Sequence, residues 1–99
     1  MRIAFERITG AKTKPLPTLF DTATLPANEA SQVRLLVEAA NFFRLPANIT
    51  ANASEPDQFN YRIAIEDDGK QHTVVVGDHS VPGTLRPLLE WLTIAVRKH

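Results

Sequence analysis

Apolar and polar residues alternate at the start of the chain: Ile3 and Phe5 fall in phase, with Arg2, Glu6 and Arg7 mostly opposed, which predicts a strand over Met1 to Ile8. Gly10 to Pro17 reads as a loop, because Gly10 punctuates it and Pro15 and Pro17 remove two backbone donors. Thr18 to Ala23 is β-branched and aromatic and predicts a returning strand, which the nearby prolines place at a sheet edge. From Leu25-Pro26 the period changes. Ala30, Val33, Leu36, Val37 and Ala40 recur at three and four, one stripe of a helix that opens at Pro26 and ends at Leu45-Pro46. Ala47 to Gln58 has little periodicity and predicts a long exposed loop. Period two then returns with Phe59, Tyr61, Ile63 and Ile65 on one face. Asp67-Asp68-Gly69-Lys70 makes a hairpin turn and Gln71 to Val76 the partner strand. Gly77 to Gly83 is a further loop. A second helix from about Thr84 carries Leu85, Leu88, Leu89, Leu92 and Val96 as its buried stripe.

The resulting order, ββαββα, predicts an α+β fold: an antiparallel four-stranded sheet with two helices packed on one face. All of residues 1–99 are expected to form a single domain. Strand order within the sheet does not follow from the pattern. Chain direction does have one consequence. The loops at 9–17, 45–58 and 77–83 should emerge at one end of the sheet, and the turn at 67–70 and the connection at 23–26 at the other.

Composition narrows the function classes. The chain carries no formal net charge and no block of like charges, so the basic stripe that nucleic-acid binding requires is missing. No basic amphipathic helix or long apolar run suggests a membrane, and the charged N-terminal residues do not resemble a signal-peptide core. There is no cysteine, which removes disulfides and thiolate chemistry and fits a reducing, cytoplasmic location. His72, His79 and His99 form no metal-ligand spacing, and His72 reads as an ordinary strand side chain. Asp78-His79 looks like half of a catalytic pair, but Ser31, Ser54 and Ser80 lack a nucleophile context, and adjacent residues seldom converge on one point. Asp67-Asp68 is better explained by the hairpin turn than by calcium. The pattern therefore predicts no enzyme, no cofactor and no metal in the free protein, but a small binding module with its loops gathered at one end.

Four blocks sharpen this. Asp21-Thr22-Ala23-Thr24-Leu25-Pro26 with Glu29-Ala30 and the run from Leu36 to Pro46 form the first. Pro56-Asp57-Gln58-Phe59-Asn60-Tyr61-Arg62-Ile63 is the second. His72-Thr73-Val74-Val75-Val76-Gly77 and Leu85-Arg86-Pro87-Leu88-Leu89-Glu90-Trp91-Leu92 complete the set. In this order and spacing the chain resembles the emfourin family, protein inhibitors of protealysin and related thermolysin-like metalloproteases of bacteria and archaea. The resemblance is weakest over 9–17.

It implies a partner that is a thermolysin-like zinc metalloprotease, blocked by a monomeric inhibitor whose loops 9–17, 45–58 and 77–83 enter its cleft. Such a protease holds zinc with two histidines and a glutamate and leaves one position for water. Without cysteine, the inhibitor can offer that position a carboxylate, an imidazole or a carbonyl. Asp78 is the first candidate, because it directly follows a strand that would hold it; Asp57 is the second and His79 the third. Leu16, Ile49 and Val81 are the candidates for apolar contacts beside the metal. Trp91, Phe42 and Phe43 are expected in the core. The competing expectation is a non-inhibitory protein–protein interaction module that uses a sheet face or edge strand.

Overall fold

The structure, a computed structural model, describes residues 1–8, 17–49 and 60–98. Strand β1 spans Arg2–Ile8, β2 Thr18–Asp21, helix α1 Ala27–Ala40, β3 Asn48–Ile49, β4 Asn60–Asp67, β5 Lys70–Gly77 and helix α2 Arg86–Lys98. The strands lie side by side in the order β2-β1-β4-β5-β3. β2 occupies an edge, as its flanking prolines predict. Beyond Asp21 the backbone turns: the Asp21 carbonyl accepts from the amides of Thr24 and Leu25, and its side chain accepts from the Ala23 amide at 2.9 Å.

The expectation of four antiparallel strands is corrected on two counts. Among the described residues the sheet has five strands, and it is mixed, because β3 pairs with β5 in parallel through Asn48 opposite Val75 and Ile49 opposite Val76. Two residues cannot display a period of two, so β3 leaves no trace in the hydrophobic pattern. It forms because β5 would otherwise be an open edge; the Val75 amide donates to the Ala47 carbonyl at 2.8 Å.

The end of the first helix is corrected as well. α1 stops at Ala40, and Asn41 takes the left-handed conformation at φ 53° and ψ 44°. Asparagine tolerates that region and closes a helix much as glycine does. Phe42–Arg44 then form one 3₁₀ turn before Leu45-Pro46.

One face of the sheet buries Ile3, Phe5, Phe20, Ile63, Ile65, Val74 and Val76, and both helices pack on it through Val33, Val37, Leu85, Leu88, Leu89 and Leu92. On α2, Ala95 is buried while Val96 is half-buried. Phe42 is fully buried; Phe43 and Trp91 lie at the core margin, and the Trp91 ring stands edge-on to Phe20 at 5.9 Å. The other sheet face carries Arg62 and Glu6, which are opposite each other in register and joined at 2.7 Å.

Candidate functional site

Register decides what lies at each end of the sheet. Ile8 is opposite Asn60, and Asn60 is opposite Gly77. Ile49 is opposite Val76. The chain therefore leaves β1, β3 and β5, and enters β4, at one common pole. The Asp67-to-Lys70 turn lies at the other pole, as do Arg2, Asp21 and Glu66. The 45–58 stretch is only partly as expected, since its first residues run along the sheet edge and approach the shared pole at Ile49. Asp57 and Leu16 lie outside the described residues.

At the shared pole the 77–83 segment turns tightly, with the Ser80 amide donating to the Gly77 carbonyl at 3.0 Å. The amides of Leu85 and Arg86 reach the Pro82 carbonyl at 3.0 and 3.1 Å and lead into α2. Asp78 is 12% exposed, and one of its oxygens is 3.6 Å from Nε2 of His79, whose side chain is 55% exposed. The carboxylate is thus set mostly inward and the imidazole outward, which residue order alone could not distinguish. Ile49 and Val81 are half-buried and pack partly against the core.

Beside this turn, Tyr61, Asp78, Val81, Arg86, Ile94 and Arg97 help line a groove of about 320 Å³. In the sequence Tyr61 is simply one of the apolar-phase residues of a strand face. It is the second residue of β4, at the shared pole, stacks on Phe5 at 5.7 Å and 12°, and brings its phenol to the groove. Burial raises the phenol's pKa above its ordinary value, the Arg7 charge opposes this, and the Asp78 carboxylate adds to it. Tyr61 thus stays a neutral hydrogen-bonding group through the physiological range. Ile94 is 55% exposed on the same groove, although large apolar side chains among the described residues are mostly covered. The only signal for these residues in the sequence is their position: Tyr61 at the loop end of its strand, and Ile94 off the leucine stripe of α2.

Among the described residues, no group of three His, Cys, Asp or Glu side chains is placed to hold a metal ion. No described helix is long and apolar enough to cross a membrane.

The sequence profile of the Emfourin family matches residues 9–93, which takes in every element from β2 to most of α2. The chain belongs to the emfourin family. Membership suggests a metalloprotease inhibitor and a protease partner rather than an enzyme. No curated protein and no solved structure matches the chain significantly.

Proposed function

We propose that this emfourin inhibits a thermolysin-like zinc metalloprotease of the protealysin type by placing the pole defined by Ile8, Ile49, Asn60 and Gly77 into the active-site cleft. The observation that carries this reading is the register, Ile8 opposite Asn60 and Asn60 opposite Gly77, which brings separate stretches of the chain to one end of a rigid sheet. A sheet-held pole loses little conformational freedom on binding, and that favours tight association.

Within the pole, Asp78 and His79 supply the polar chemistry, and Ile49 and Val81 supply apolar surface. The Asp78 carboxylate, once its side chain swings out of the groove it lines, is the proposed partner for the open position on zinc, at the ~2.0–2.2 Å that oxygen ligands require. Its ionised form needs to lose no proton to bind. Asp57 and Leu16 belong to stretches that leave from, or return to, the same pole, and they keep the roles proposed for them: a second carboxylate and an apolar contact. The groove beside Tyr61 extends the contact surface along α2, where Ile94 and the Arg86 and Arg97 side chains would meet the rim of the cleft. The reading has the chain act as a monomer in the cytoplasm.

The contrasting reading is a non-inhibitory module. It would use the other face of the sheet, where Leu19 is 74% exposed beside a depression of about 470 Å³ that includes Ala4 and Ala64. A titration separates the two. Residual activity of a thermolysin-like protease on a peptide substrate should fall to a few per cent as the chain reaches a one-to-one ratio, at concentrations well above the dissociation constant. Undiminished activity with excess chain would remove the inhibitor reading. Leu19→Asp should leave inhibition unchanged, since that residue, opposite Ala4, lies well along the sheet from the pole at Ile8.

A further inference from the structure

In the sequence His72 is an ordinary strand side chain, but in the fold its ring is tied to a different part of the chain. Its Nε2 lies 2.7 Å from the Leu45 carbonyl oxygen. A carbonyl only accepts, so Nε2 carries the hydrogen and donates. The same ring stands edge-on to Phe42 at 5.7 Å, which fixes its orientation between β5 and the 3₁₀ turn.

Leu45 and Ile49 at the two ends of the segment it holds pack against the core, but the segment's backbone has few hydrogen-bond ties among the described residues. Pro46 has no amide hydrogen, so the residue after Leu45 cannot donate to the sheet. β3 is two residues long, and Ala47 meets β5 through the Val75 amide at 2.8 Å. A strand this short has little pairing of its own, so a side-chain tie at its start has a large share in fixing its place. The segment then delivers Ile49 opposite Val76, at the shared pole.

We propose that His72 is a positioning residue for the inhibitory pole. It clamps the Leu45 carbonyl, so that β3 lies in register along β5 and Ile49 is presented beside the 77–83 turn. The clamp itself is a claim about the free protein; its effect on inhibition rests on the function proposed above. A loosened clamp leaves the pole assembled for only part of the time, and apparent affinity falls in proportion to that fraction.

Two variants test this. His72→Phe keeps an aromatic ring against Phe42 but has no donor. His72→Gln places an amide nitrogen close to where Nε2 stands and restores one. Hydrogen exchange of the Val75 amide is followed in the free chain, with Ala4 and Ala64, paired in the β1–β4 ladder, as references. His72→Phe should speed exchange at Val75 about tenfold or more while the references hold, and raise the inhibition constant by a similar factor; His72→Gln should bring both back to within about twofold. The proposal is overturned if Val75 exchanges at the wild-type rate in His72→Phe. It is also overturned if all three amides speed up alike and glutamine restores nothing, because the histidine would then be only a general stabiliser. Unchanged inhibition by a His72→Phe chain with a freed Val75 amide would break the link to the pole. A wild-type chain that inhibits no metalloprotease but shows the exchange pattern would instead leave the clamp standing and remove the function.

Discussion

Asp78→Ala should raise the inhibition constant against a thermolysin-like metalloprotease about tenfold or more, equivalent to about 1.4 kcal/mol or more of binding free energy. The far-UV spectrum should be unchanged. The size follows from the side chain's two contributions at the pole. It is 12% exposed and faces His79 at 3.6 Å, so its loss disturbs the turn that begins at Gly77. It is also the proposed oxygen ligand for the metal. Asp78→Asn separates the two contributions, since the amide keeps the shape and can still hydrogen-bond, but it is a far weaker ligand for zinc. A carboxylate on the metal predicts that Asn is nearly as damaging as Ala. An Asn variant that inhibits like the wild type would confine Asp78 to holding the turn. If Asp78→Ala and Asp57→Ala both inhibit normally, no carboxylate from either position enters the metal site.

Phe42→Ala should be the most damaging of the single core truncations, costing about 3–5 kcal/mol of folding free energy. Phe42 heads the largest fully buried side chains, in contact with the rings of Phe43 and His72 at 5.8 and 5.7 Å. It follows a left-handed residue and sits in a 3₁₀ turn, where the backbone has little freedom to close over a hole. At about 4–8 °C per kcal/mol for a chain of this size, the melting temperature should drop by about 12 °C or more. A fall of only a few degrees would mean that the turn collapses into the space, and that the corner between α1 and β3 is less tightly packed than described. Because the 3₁₀ turn precedes the segment clamped by His72, the variant should also weaken inhibition.

How much of this could be read from the sequence depends on how long each signal runs. Ile63 and Ile65 declare the buried face of β4 through alternation over several residues, and the leucines of α2 declare its stripe through more than two turns; both are buried as expected. The shared pole was legible too, because counting strand directions needs no side-chain detail. Strand order was not legible, since nothing local says whether β4 inserts between β1 and β5. β3 escaped because its cause lies on another strand: the pairing is set by the edge of β5 and by His72, not by residues 48 and 49 themselves. The helix end was misplaced because Leu45-Pro46 gives an evident stop, while Asn41 stops the helix earlier through a conformation that no hydrophobic period reveals.

The candidate site divides along the same line. That Asp78 and Val81 share one connecting segment follows from their spacing. That the Asp78 carboxylate faces inward while the His79 ring faces out depends on the turn's conformation and on the groove wall built by α2. Tyr61 joins the site for a similar reason: its strand phase matches the core residues, but its position at the end of β4 brings the phenol out beside Asp78. Sites assembled from strand ends and helix flanks depend on tertiary placement, which a single sequence encodes only through the fold as a whole.

Binding to a protease whose cleft has first been filled with a small zinc-chelating inhibitor tests most directly whether the pole enters that cleft. The account predicts that affinity, measured by calorimetry or a surface-binding assay, is lost or falls by a hundredfold or more, and returns when the small inhibitor is washed out. Equal affinity for the filled and the open protease would contradict it.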